Sequence, residues 1–169
     1  LYTDPVKKSV LWFKDRIANK CFEESTTIVP ICNYLKEIVQ ERYPKKSVEV
    51  LYQGIDPSKW FETKGMKLKH PCVGLVQSAS IWGKTQELLL LPKILEAMPN
   101  VMFYWVGDGV YANKVLPVLE KYDNFTWLGH LEYPNKVREF LDEIDVYALM
   151  SGIDMSPLTL QEAQLMKKP

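Results

Sequence analysis

The stretch Val101-Met102-Phe103-Tyr104-Trp105-Val106 is apolar or aromatic at every position, and Gly107-Asp108-Gly109 follows it directly. A strand with one wet face alternates apolar and polar residues. A run with no alternation fits a strand covered on both faces, as in a parallel sheet sandwiched between helices. Such a strand needs neighbours of its own kind, and the sequence offers 72–76, 125–128 and 145–149. Between them lie stretches of helical pattern. Residues 84–98 are interrupted by Pro92, which must kink or restart the helix because an interior proline costs ~3 kcal/mol. Residues 110–122 contain Pro117, Val137, Phe140 and Leu141 line one helical face, and 158–167 follow Pro157, a residue suited to a first turn. Strands alternating with helices predict an α/β fold, a Rossmann-like parallel sheet flanked by helices.

The chain ahead of residue 53 carries the same alternation more weakly. Residues 7–22 place Val10, Leu11, Phe13, Ile17 and Phe22 on what reads as one buried helical face. Residues 26–30 form a strand ended by proline, Asn33 is a candidate N-cap for a helix with Leu35, Ile38 and Val39 in its stripe, and 47–52 is a further strand. Gln53-Gly54-Ile55-Asp56-Pro57 is turn chemistry, and the stretch to His70 has no clear period, so a domain boundary is expected within 53–70. A length of 169 residues fits one domain and part of another, and the chain reads as an excised segment of a longer soluble protein. Lys and Arg number 21 against 21 Asp and Glu, a balance that argues against a dedicated nucleic-acid binder. Cys21, Cys32 and Cys72 are scattered, which suits free thiols in a reducing compartment. No run approaches the ~20 apolar residues of a membrane span, and the charged opening is unlike a signal peptide.

Ligands of an open parallel sheet bind outside the carboxyl ends of its strands. That rule directs attention to 77–83, 107–109, 129–130 and 151–156. Gly107-Asp108-Gly109 would let a backbone pass close to a ligand, although a strand-to-helix turn also needs glycine for its own geometry. Asp154 stands just before the helix after Pro157 and Glu162 about a turn into it. A diphosphate can sit at such a helix N-terminus, where free N–H groups and the dipole favour an anion, with each carboxylate accepting hydroxyl hydrogen bonds from a polyol. The plainer alternative is a solvated helix glutamate and an ordinary loop acid. Lys84, in Trp82-Gly83-Lys84, either reaches a phosphate or is a solvated first-turn lysine, and His130 either lines the cleft or is a loop residue. His70 and His130 read as isolated, without metal-ligand spacing. Neither a nucleophile–base arrangement nor a Walker-type loop is present.

Taken in order, these segments resemble the nucleotide-sugar-binding half of GT-B glycosyltransferases, specifically the retaining group known as family 4 (glycosyltransferase group 1). Ile28-Val29-Pro30-Ile31-Cys32-Asn33-Tyr34-Leu35-Lys36 is similar to the strand and helix closing that family's N-terminal domain. Tyr52-Gln53-Gly54-Ile55-Asp56 resembles its N-G-[IV]-D interdomain signature, Val106-Gly107-Asp108-Gly109 its V-G-D-G, and Phe125-Thr126-Trp127-Leu128-Gly129 its V-x-F-L-G strand. Asp145-Val146-Tyr147 through Ser151 resembles A-D-V…P-S. The segment from Asp154 through Glu162-Ala163 lies over E-x7-E-A, and Lys168-Pro169 over G-K-P. The chain departs from the pattern where Leu75 replaces the family arginine after Gly74 and Trp82 the lysine of the Lys-Gly pair.

The resemblance implies that 1–52 close an N-terminal Rossmann-like domain, 53–70 link the domains, and 71–169 form a truncated nucleotide-sugar-binding domain. Glu162 would hold the ribose hydroxyls and Asp154, as the catalytic-site acid, the transferred sugar. The backbone at Ser156 and Leu158 would meet the diphosphate and Gly129 and His130 the base, Gly107 and Asp108 would be further donor-binding residues, and Lys84 would offer phosphate charge. No cofactor and no metal are expected, the donor substrate being a UDP- or GDP-sugar. The implied activity is hexosyl transfer with retention to a glycan or lipid acceptor, in the cytoplasm or peripherally at the inner face of a membrane, with no nucleic-acid partner. The segment alone is expected to be inactive. A non-catalytic binding or scaffold subunit, or another GT-B-like enzyme such as a nucleotide-sugar epimerase, are the alternatives.

Overall fold

A computed structural model describes residues 5–152 and 154–169, and the chain divides into two compact units, Leu1–Gln53 and Gly54–Pro169. The first unit holds a helix α1 (Pro5–Glu24), a strand β1 (Thr27–Ile28), a helix α2 (Asn33–Arg42) and a strand β2 (Ser47–Val48). β1 and β2 pair in parallel, with Ile28 opposite Val48, both buried. The ladder continues past the assigned strands, because the amides of Glu49 and Leu51 donate to the carbonyls of Ile28 and Pro30. Two expectations are corrected here. The α1 face expected to be buried is open, with Phe13 62% and Ile17 58% exposed. Cys32, not Asn33, occupies the N-cap position of α2 in extended conformation, and Asn33 is the first helical residue.

The second unit is built on a four-stranded sheet in the order β5-β4-β3-β6, parallel throughout. Its strands are β3 (Cys72–Val76), β4 (Met102–Val106), β5 (Phe125–Gly129) and β6 (Val146–Tyr147). Side chains on a strand alternate between faces, and the unbroken apolar run of β4 feeds two cores. Phe103 and Trp105 enter one core with Leu75, Leu88, Leu95, Val115 and Leu119, which belong to or connect with α4 (Leu91–Ala97) and α5 (Ala112–Leu119). Tyr104 and Val106 enter the other with Cys72, Phe140, Ile144 and Met166, covered by α6 (Asn135–Glu143) and α7 (Leu158–Leu165). The sandwich expected from the missing alternation is present.

Local differences have physical causes. Residues 84–98 are not one helix: α3 (Trp82–Thr85) passes into a 3-10 stretch (Gln86–Leu90), and Pro92 stands in the first turn of the restarted α4. There its missing N–H costs nothing. Pro157 likewise stands one position ahead of its expected place, at the N-cap of α7. The expected 145–149 strand shortens to two residues, and the outer side of this edge is met by the carbonyl of Pro169, which accepts from the Tyr147 amide. From Gly54 onward the 53–70 stretch packs within the second unit, and Trp60 is only 6% exposed in its core. Asp56 caps the short 3-10 helix Pro57–Lys59 by accepting from the Ser58 amide at 3.0 Å.

The turn after β4 depends on Gly107, whose φ of 142° suits glycine. A Cβ there would stand 2.0 Å from the Gln77 carbonyl oxygen. Gly107→Ala is expected to destabilise the protein by about 1–3 kcal/mol from backbone strain alone, with the clash adding to it, read as a lowered midpoint in urea denaturation.

Candidate functional site

The parallel sheet brings the ends of β3, β4, β5 and β6 to one edge, and the loops there are laced together by main-chain bonds. The Gln77 amide donates to Val106, Ala79 to Asp108, Tyr111 to Ala79 and Gly107 to Gly129. Two buried or half-covered indoles reinforce the lacing: Trp105 Nε1 donates to the Gln77 carbonyl at 2.9 Å and Trp127 Nε1 to the Gly107 carbonyl at 2.8 Å. Gly107, Asp108 and Gly129 therefore do meet at one place. Their contacts there are backbone contacts that hold the loops, and the Asp108 side chain is exposed. His130 is exposed beyond Gly129.

Lys84 and Asp154 are joined directly. The Lys84 ammonium donates to Asp154 Oδ1, with side-chain exposures of 28% and 17%, so the pair is largely shielded from water. The same loop is tied a second time, where the Gly152 amide donates to Glu87 Oε2 at 2.5 Å. A lysine expected to serve phosphate is thus engaged by the acid expected to serve sugar. Competition between an anionic ligand and Asp154 for one ammonium follows from that geometry.

Glu162 lies apart from this pair, on α7. It is 3% exposed and accepts a hydrogen bond from the Tyr133 hydroxyl at 2.9 Å. Burial raises its carboxyl above the usual range, and the Tyr133 bond only partly offsets that. Tyr147, packed beneath, donates to Thr159 Oγ1 at 2.7 Å, and burial pushes its phenol up to about 12. α7 begins without a side-chain cap and without an acidic residue in its first turn. Its leading amides keep the positive end of the helix dipole open beside Ser156 and Leu158. Two buried polar atoms on this edge, Gln77 Oε1 and Ser151 Oγ, have no hydrogen-bond partner. Buried polar groups are rarely left so.

The strand-end rule points to the loops containing Gln77 and Ser151 but not to those side chains. Tyr133 and Glu87 carry no sequence signal either, because they act on partners 29 and 65 residues away respectively. His70, which reads as isolated in the sequence, is not isolated in the structure. Nδ1 of His70 lies 2.9 Å from Asp145 Oδ2 and Nε2 lies 2.9 Å from Glu143 Oε1. These carboxylates, Asp145 first, raise the imidazole's pKa, and the imidazole together with the Cys72 amide lowers that of Asp145.

Neither a protein-family profile nor a curated protein sequence matches the chain. Solved structures do. The pneumococcal O-GlcNAc transferase GtfA in complex with UDP and GlcNAc superposes with a TM-score of 0.67 at 16% identity, over 89% of this chain and 31% of that one. The chain shares its fold with GT-B glycosyltransferases. A variant of S. aureus TarM, bound to fondaparinux, α-GlcNAc-glycerol and UDP, gives 0.71 at 14% identity over 88% and 30%. HepE from Anabaena in complex with UDP-glucose gives 0.69 at 16% identity over 91% and 46%. The chain thus spans between about a third and a half of the length of these glycosyltransferases. Among the described residues, no helix is long and apolar enough to cross a membrane.

Proposed function

We propose that this chain is the donor-binding region of a nucleotide-sugar-dependent glycosyltransferase of the family 4 type. The observation that carries the reading is the buried Glu162 on α7, a helix whose first turn has open amides and no acidic residue. A buried carboxylate beside an uncapped helix start suits a ligand with both hydroxyls and phosphate. In this reading Glu162 accepts from the ribose diol after displacing the Tyr133 hydroxyl, and the amides near Ser156 and Leu158 meet the diphosphate. Gly129 and His130 lie at the base, Gly107 and Asp108 bind the donor from the adjoining loop, and Asp154 contacts the transferred sugar. Phosphate charge is balanced by the α7 dipole and by Lys84 once it leaves Asp154, without a metal ion at this edge. Transfer then proceeds with retention from a UDP- or GDP-sugar to a glycan or lipid acceptor, in the cytoplasm or at the inner face of a membrane.

Asp154 and Lys84 test the division of labour. Asp154→Asn frees the ammonium, so affinity for free UDP or GDP should hold or rise, while sugar transfer by the complete protein collapses. Lys84→Met should weaken nucleotide affinity by about tenfold, the size of a single charge-assisted contact. Calorimetry with the free nucleotide and a transfer assay read the two effects. Loss of nucleotide affinity in Asp154→Asn would contradict the assignment of that acid to the sugar.

A second reading, a non-catalytic binding subunit, is favoured by a specific observation. Leu75, which stands in place of the family arginine, is fully buried in the core, and Lys84 is already paired. A subunit of that kind binds neither UDP nor GDP.

A further inference from the structure

At the opposite edge of the sheet, where the strands begin, three different donor groups converge. β3 and β6 are parallel neighbours with Val73 opposite Val146, so the residues just ahead of that pair, Cys72 and Asp145, are brought side by side. His70 stands two residues before Cys72. The imidazole Nδ1 lies 2.9 Å from Asp145 Oδ2 and 3.7 Å from Cys72 Sγ, and one ligand atom from each residue lies within 4.8 Å of the others. We propose that His70, Cys72 and Asp145 form a binding site for a divalent ion of the zinc class, separate from the nucleotide edge.

The donor set of imidazole, thiolate and carboxylate is one that zinc takes, and three protein ligands leave a fourth position for water. With Zn–N of ~2.0–2.1 Å and Zn–S of ~2.3 Å in a tetrahedron, nitrogen and sulfur stand about 3.6 Å apart, close to the separation present. The carboxylate must retreat by only a few tenths of an ångström. Supporting contacts are also in place. His70 Nε2 faces Glu143 Oε1 at 2.9 Å, the carboxylate–histidine arrangement that orients a ligating imidazole and leaves its other nitrogen for the metal. The Cys72 amide donates to Asp145 Oδ2 at 2.7 Å, which aims that carboxylate. His70 and Asp145 are exposed, so an ion can enter from solvent. Binding replaces the Nδ1 proton and the Cys72 thiol proton, both released to water. The ion would fasten the 54–70 segment to the start of the sheet. The competing account is a protonated His70 bridging two carboxylates, which needs no metal.

The test uses the whole chain with Cys21→Ser and Cys32→Ser, which removes the other two free thiols. Titration with Co2+ should produce a thiolate-to-cobalt charge-transfer band that saturates at one ion per chain and is displaced by Zn2+. His70→Gln, at an exposed position that leaves the core intact, should abolish the band. Glu143→Gln should weaken binding by about tenfold to a hundredfold while keeping the band. Zn2+ should raise the melting temperature of the parent and not of His70→Gln. A natively folded parent that shows no band with Co2+, or a band unchanged by His70→Gln, would overturn the site in favour of the ion-pair account.

Discussion

Trp105→Ala is expected to cost about 3–5 kcal/mol of stability, as large aromatic deletions in a closed core do. The side chain is fully buried, and its indole N–H also holds the Gln77 carbonyl that the turn at Gly107 approaches. One substitution therefore opens a cavity under β3 and β4 and unties the loop after β3. Trp105→Phe separates the two effects. It keeps most of the volume and leaves the Gln77 carbonyl unpaired, at about 1–3 kcal/mol. Urea denaturation should show both variants shifted in midpoint with an unchanged slope, which marks a change in stability and not in the unfolded state.

Glu162→Gln is expected to weaken UDP or GDP binding by about tenfold to a hundredfold while leaving the fold at least as stable at neutral pH. The amide keeps the shape and one acceptor oxygen but loses the charge that strengthens hydrogen bonds from a ribose diol, worth ~1.5–3 kcal/mol each. Stability moves the other way because burial raises the Glu162 carboxyl in the folded state. Between its unfolded and folded values the folded state holds more protons, so this group's contribution declines as pH rises through that window. Glutamine removes that decline. Nucleotide affinity, which needs the ionised carboxylate, should fall as pH is lowered through the raised folded value, and this pH dependence should vanish in Glu162→Gln. Calorimetry across pH, with melting curves alongside, reads both signs.

The sheet was legible because β4 carries its burial on its face: every residue from Met102 to Val106 is apolar or aromatic, and only a strand covered on both sides needs that. Its neighbours β3 and β5 were equally plain. The edge strand β6 was not, because two paired residues leave little periodicity to read. The helix restart at Pro92 and the helix start at Pro157 were visible as punctuation, while their register depended on which turn the proline joined. For α1, an apolar stripe signalled a face to be covered, and the structure leaves Phe13 and Ile17 exposed. At the candidate site, loops could be named from the strand-end rule alone. The pairing of Lys84 with Asp154, of Tyr133 with Glu162 and of Glu87 with Gly152 could not, because partners come together only when the sheet order is known. His70 shows the same limit most clearly, since its contacts with Glu143 and Asp145 lie 73 and 75 residues away.

The central claim is that the edge carrying Glu162 and the start of α7 takes a nucleoside diphosphate sugar. Calorimetric titration of the chain with UDP and with GDP, repeated with Glu162→Gln, tests it most directly. The account predicts saturable binding of one of the two nucleotides at one site, with the variant weaker by about tenfold to a hundredfold. Binding of neither nucleotide, or equal affinity in both proteins, would contradict it.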